Sequence, residues 1–199
     1  MAITISTIGR TTARISTEDI ANAKTILEDI KNGFERAYAR ALNTTLTGVR
    51  TDLVAMARDD YAFRADAVRS RITLNNATFS DLNASIVSRG DGVLLSDFVG
   101  TRQISTGLSV NVKRSTGRQY ITHGFLNQTR SGKIVAMRRQ VIDGQRVRRY
   151  PVQSLYGPHP EIVWNVEENW AKLEVLAGER LDANFEHEVD YVLERYSNT

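Results

Sequence analysis

The chain has 199 residues, of which 41% are hydrophobic and 25% charged, and its formal net charge is +3. Those are the proportions of an ordinary soluble protein long enough to bury a real core. The absence of cysteine excludes a disulfide framework, a thiolate metal site and a cysteine nucleophile, and no apolar run approaches the roughly 18 residues of a spanning helix.

The opening residues, MAITISTIGR, have no basic region followed by an apolar one. No signal peptide is expected, and the simplest compartment is a cytoplasm. Ser16-Thr17-Glu18-Asp19 then reads as a helix start, with Ser16 as cap, Asp19 at the capping-box distance and acids in the first turn. Apolar residues recur at Ile20, Ala23, Leu27, Ile30, Phe34, Ala37 and Ala41, in steps of three and four that make one helical stripe. Asn43-Thr44-Thr45 lowers the propensity, and Leu46, Val49, Leu53 and Met56 resume the stripe. The pattern predicts one long helix or two nearly collinear ones to about Arg58, then a short basic helix from Arg64 to Arg71.

From Ile72 to Leu155 the pattern changes to short alternating segments separated by Gly, Asn, Asp and Ser. Strands are expected at Ile72–Thr78, Ala84–Arg89, Leu108–Lys113, Tyr120–Phe125, Ile134–Arg138 and Arg146–Pro151. Asp91-Gly92, Ser131-Gly132 and Asp143-Gly144 supply turn signals. After Pro160 the helical period returns. Ile162, Val166, Trp170, Leu173, Ala177, Leu181, Phe185, Val189 and Leu193 form one stripe, with Gly178 as its weak point. The order helix, sheet, helix predicts an α+β fold in a single domain, 1–199: N-terminal helices over 16–71, a central antiparallel sheet or small barrel over 72–155, and a long C-terminal helix over 158–195.

Little in the sequence points to catalysis. His123, His159 and His187 lie far apart in different element types, and no HExxH spacing is present. Gly117, Gly124, Gly132 and Gly144 are spaced like hairpin turns rather than a phosphate loop. Glu167-Glu168 and the later acids fall on the polar face of the last helix. A hydrolase would need a convergent polar pocket that the sequence does not show.

Charge is the stronger signal. Residues 101–150 hold eleven Lys or Arg and one acid, whereas residues 151–199 hold three bases and ten acids, so +10 is followed by −7. Such segregation asks for a partner surface, inside the fold or outside it. Arg138, Arg139, Arg146, Arg148 and Arg149 fall on consecutive strands joined at Ile142–Gln145. They are the candidate contacts, either to DNA phosphates or to the acidic helix of the same or a neighbouring chain. Aromatic interleaving is thin there, with Tyr150 and Tyr156 only.

All three prolines, Pro151, Pro158 and Pro160, lie within RRYPVQSLYGPHP. Pro151 lacks an N–H and marks a strand end, Gly157 is placed to turn the chain through positive φ, and Pro158 and Pro160 hold the residues before them extended. The stretch predicts a rigid corner between sheet and helix.

The same region carries a resemblance. His123-Gly-Phe-Leu126, the turn at Ser131-Gly132-Lys133, the strand at Met137-Arg-Arg139, then Arg149-Tyr-Pro-Val152 and Leu155-Tyr-Gly-Pro158 ahead of a long helix resemble the prophage minor tail protein Z family. These are neck and tail-completion proteins of tailed phages. The likeness covers nearly the whole chain, including the basic segment Arg64–Ile72. It implies a tail-terminator-like fold and a structural virion protein without enzymatic activity or cofactor. It also implies a homo-oligomeric ring, of six copies, at the neck or tail end around the DNA channel. Neighbouring neck and tail-tube or terminator proteins, and genomic DNA in the channel, would be the partners, with no membrane involved. The chain would reside in the virion tail or neck, and in host cytoplasm during assembly. The alternative reading is a sequence-independent DNA-binding module.

Overall fold

Ser16 starts the first helix as its spacing predicts. In the computed structural model, which describes residues 2–5, 10–139, 141–142, 145–146 and 152–197, Ser16 Oγ accepts from the Asp19 amide at 3.0 Å and donates to Asp19 Oδ2 at 2.6 Å. Helix α1 (Thr17–Ile26) is followed by α2 (Gly33–Asp60). The continuous stripe is therefore interrupted at 27–32, where polar residues lead to Asn32 at φ 56°. Asn tolerates the left-handed region, and Gly33 after it gives a break that apolar periodicity cannot reveal. The Asn43–Thr45 stretch, by contrast, stays helical. Asn43 turns its amide outward to accept from the Ala77 N–H at 2.7 Å and donate to the Ala77 carbonyl at 3.0 Å, so its side chain does not compete with the helix backbone.

The remaining elements are β1 (Ala2–Ile5), β2 (Arg10–Ala13), α3 (Ala65–Arg69), β3 (Ile72–Asn75), β4 (Asn83–Ser88), β5 (Arg102–Ile104), β6 (Gly107–Asn111), β7 (Arg118–Thr122), β8 (Gly124–Gln128), β9 (Ile134–Arg139), β10 (Val141–Ile142), β11 (Gln145–Arg146), β12 (Val152–Ser154), α4 (Glu161–Trp164) and α5 (Glu167–Ser197). The fold is α+β. The chain forms two compact units, one of Met1–Leu53, Ile72–Arg89 and Trp164–Thr199, the other of Val54–Arg71 and Gly90–Val163.

In the first unit, α2 and α5 pack through their stripes. Ala37, Tyr38, Ala41, Leu42, Leu46, Val49 and Leu53 of α2 and Leu173, Ala177 and Leu181 of α5 are fully buried. Phe34, Tyr38 and Phe185 form an aromatic cluster, with Phe34 and Phe185 edge to face at 6.2 Å. Thr45, the buried polar residue in this contact, accepts from Asn184 Nδ2 at 2.8 Å. A four-stranded sheet in the order β2-β1-β4-β3 completes the unit. Its β1 runs parallel to β4, with Ala2 opposite Asn83 and Ile5 opposite Ile86.

In the second unit the last turns of α2, α3 and two small antiparallel sheets surround Phe63, Phe98, Leu108, Val110 and Ala136. The Phe63 and Phe98 rings lie 4.9 Å apart. The expected strand Tyr120–Phe125 is in fact two. His123 at φ 60° separates β7, which joins β5-β6-β7, from β8, which joins β12-β9-β8. The chain changes sheets there, and these strands do not close into a barrel.

Gln103 ties the two sheets together. Its Nε2 donates to the carbonyls of Gly107 at 2.9 Å, Ile104 at 3.2 Å and Gly124 at 3.3 Å, while Oε1 accepts from the Leu126 amide at 2.8 Å. Two further departures from expectation lie at the C-terminal helix. It begins as α4 and restarts as α5 after Asn165-Val166, so Ile162 and Val166 are exposed rather than part of the buried stripe.

Candidate functional site

Arg138 and Arg139 end β9, where Arg138 lies opposite Gln153 and Arg139 opposite Val152 of β12. Neighbouring strand residues point to opposite faces, so the pair does not form one patch. Arg138 is exposed. Arg139 is half-buried, with its guanidinium carbon 5.5 Å from the Phe125 ring centroid and its Nε buried without a hydrogen-bond partner among the described residues. Arg146 falls in β11, opposite Val141 of β10; the expected turn at Asp143-Gly144 lies outside the described residues. Arg148, Arg149 and Pro151 lie outside the described residues.

A wider set of exposed cations shares this unit: Arg102, Lys113, Arg114, Arg118, Arg130 and Lys133. Several are held in place through the backbone. Arg114 Nε donates to the Arg58 carbonyl at 2.8 Å, and Arg118 donates to Ser109 Oγ at 2.9 Å and to the Gly100 carbonyl. Lys133 approaches Asp97 at 3.6 Å.

The proline stretch is fastened by hydrogen bonds. The Gly157 amide donates to the Val93 carbonyl at 2.7 Å, the Leu95 amide to Leu155 at 2.9 Å, and the Leu155 amide to Ala136 at 2.8 Å. Leu94 and Tyr156 thereby form an antiparallel bridge. Gly157 does not occupy the left-handed region that the turn reading assigned to it. Its requirement is steric: a Cβ there would stand 2.7 Å from Phe98 Cζ and 2.9 Å from Cε2, on a ring that is buried. Beyond it, Pro160 and Glu161 are buried, and the Glu161 carboxylate lies 4.0 Å from His159 Nδ1.

Sequence reading missed the most structured polar surfaces, which flank α5 in the first unit. On one flank, a pocket of about 700 Å³ is lined by Arg36, Arg40, Arg195, Phe79, Tyr191 and Tyr196. Arg40 Nε lies 3.0 Å from Glu188 Oε2, and its guanidinium sits 4.7 Å over the Tyr191 ring. Arg195 donates to the Tyr191 hydroxyl at 3.2 Å. The hydrogen bonds from Arg195 and Arg40 hold the Tyr191 phenol below its ordinary pKa. On the other flank, Asp19, Asp182, Glu186 and Asp190 rim a groove of about 580 Å³ floored by Ile26 and Val189. Burial, and then the nearby Asp19 charge, raise the Asp182 pKa from its ordinary value. The signal was present as i, i+4 pairs at 36 and 40, 186 and 190, and 191 and 195, but solvated helix faces carry the same spacing.

Among the described residues no group of three or more His, Asp or Glu is placed to hold a metal ion, and no helix is long and apolar enough to cross a membrane. The family model for Prophage minor tail protein Z (GPZ) matches residues 19–198. The chain belongs to that family, a structural protein of the phage tail, as the order of motifs from His123 to Pro158 implies. No curated protein and no solved structure matches the chain.

Proposed function

We propose that this tail protein completes the neck or tail end as a ring of six copies around the DNA channel, with neck and tail-tube or terminator proteins as its neighbours. The observation that carries the reading is the family match, which spans both compact units rather than one motif. Two surface features support it. The exposed Arg and Lys side chains on the second unit suit sequence-independent contact with passing phosphates. The hydrogen-bonded stretch from Leu155 to Pro158 gives that unit a stiff edge, and a ring closes only when each subunit repeats the same angle. The role is architectural and uses no cofactor.

The test is to locate the chain in purified virions by cryo-electron microscopy. A sixfold ring at the head-proximal or terminal end of the tail is expected. Density for the chain along the tube, or as scattered single copies, would overturn the reading. A second reading, a sequence-independent DNA-binding module, is favoured by the same exposed cations. It requires steeply salt-dependent duplex binding by a chain that forms no ring.

A further inference from the structure

We infer that the arginine and tyrosine pocket beside α5 is a docking site for a second copy of this chain, and that the part it receives is the acidic groove on the opposite flank of the same helix. The inference rests on the ring reading and names the surfaces such a ring would use.

The pocket is unfinished by folding alone. Phe79 is 60% exposed and Tyr196 57% exposed, although both are large aromatic side chains. The Arg36 side chain has no hydrogen bond or ion pair among the described residues, and Arg40 has one carboxylate partner, Glu188, among them. Aromatic walls with guanidinium groups in excess of carboxylates fit a surface that carries acids around an apolar centre. The groove on the other flank has that composition. Its carboxylates, Asp19, Asp182, Glu186 and Asp190, surround Ile26, which is 55% exposed, and no cation lines it among the described residues.

The placement follows from helix geometry. Asp182, Glu186 and Asp190 step by four along one side of α5, whereas Glu188, Tyr191 and Arg195 step by three and four along another. At about 100° per residue the two sets face roughly opposite ways. Complementary patches on different sides of one molecule make a heterologous contact, in which every copy uses both patches and the chain of contacts can close into a ring. A two-fold contact through either patch would instead set arginine against arginine or carboxylate against carboxylate. Nucleic acid fits the pocket less well, because residues 151–199 carry a net charge of −7 and would repel phosphates.

The experiment is sedimentation velocity on the full chain, with circular dichroism as a check on folding. One variant, R36E/R195E, reverses the pocket, and another, E186R/D190R, reverses the groove. Wild type is expected to assemble. Each variant alone should need at least about tenfold more protein to do so. An equimolar mixture of the two should assemble again in alternation, because the retained groove meets the retained pocket and the two reversed patches are also complementary. The variant carrying all four changes should assemble again, its charges having been exchanged. Should R36E/R195E or E186R/D190R assemble as wild type does, the contact lies elsewhere and only this inference falls. Failure of the mixture to assemble, or of the fourfold variant to recover, would also overturn it. Wild type that remains monomeric at every concentration would overturn both this contact and the ring.

Discussion

Arg180 of α5 reaches Asp52 of α2 through both guanidinium amines, at 2.5 and 3.3 Å, because its side chain lies across Gly48. A Cβ on Gly48 would stand 2.5 Å from Arg180 Nη1 and 2.7 Å from its Cδ. Two effects of Gly48→Ala therefore oppose one another. Helix propensity favours alanine by about 1 kcal/mol, and displacement of a partly buried, two-pronged ion pair costs about 1 to 3 kcal/mol. A net loss is expected in the wild type. In an Arg180→Ala background only the propensity remains, and the same change should stabilise by up to about 1 kcal/mol. Urea denaturation of the four proteins measures the coupling. Equal effects of Gly48→Ala in both backgrounds would show that the glycine does not serve the ion pair.

At Gly157 the neighbour cannot move aside so easily. The Phe98 ring is 2% exposed and packs on Phe63. Gly157→Ala should therefore cost about 1 to 3 kcal/mol by overpacking, and Phe98→Leu should recover part of that loss by withdrawing the ring. Thermal melts of both single variants and the double variant decide it. If Gly157→Ala melts like wild type, the close approach of the corner to Phe98 is not a constraint on folding.

The contrast between these glycines shows what sequence made legible. The stripe from Trp170 to Phe185 is local, and one face of one helix is all that has to be read; all five of its apolar positions are buried. The Ser16 cap is local for the same reason. The pairing of β1 with β4 joins residues about 80 apart in the chain and left no mark in either segment. His123 is a left-handed residue without the glycine that would announce it, so two strands were read as one. Gly157 looked like a turn residue, but its neighbour Phe98 lies 59 positions away, and steric demand from that distance is invisible to local pattern. Arg138 and Arg139 were correctly placed at a strand end. The surfaces flanking α5 were missed because their chemistry comes from α1, α2, α5 and the segment holding Phe79 together.

Tyr38 gives a pH dependence with a definite sign. Its hydroxyl is buried without a hydrogen-bond partner among the described residues, and burial pushes its pKa from 10.0 up to about 12. The folded state favours the neutral phenol. Its contribution is intact below pH 10 and is lost as the pH rises from there through about 12. Tyr38→Phe removes both the unsatisfied hydroxyl and the titration. At neutral pH the variant should be as stable as wild type or better by about 1 kcal/mol, and its advantage should widen at pH values between 10 and 12. Denaturant midpoints at neutral and alkaline pH measure this. A loss exceeding about 1 kcal/mol at neutral pH would mean that the hydroxyl has a partner after all.

Gln103 offers the sharpest chemical test of how the two small sheets are held. Its amide nitrogen serves three carbonyls, those of Ile104, Gly107 and Gly124, and its amide oxygen serves one N–H, that of Leu126. Gln103→Leu removes both sides and leaves groups that water can partly reach, since Gln103 is itself exposed; about 1 to 2 kcal/mol is expected. Gln103→Glu keeps the acceptor for Leu126 but aims a carboxylate oxygen at the three carbonyl oxygens. Repulsion replaces attraction there, so this nearly isosteric change should destabilise more than leucine does at pH 7. Protonation of the glutamate restores a donor, and the order should reverse as the pH falls below the ordinary glutamate pKa of about 4.3. Melting both variants across pH 3 to 8 reads this crossing directly, at about one melting curve per pH unit. Parallel pH profiles for the leucine and glutamate variants would mean that the amide does not bridge the sheets.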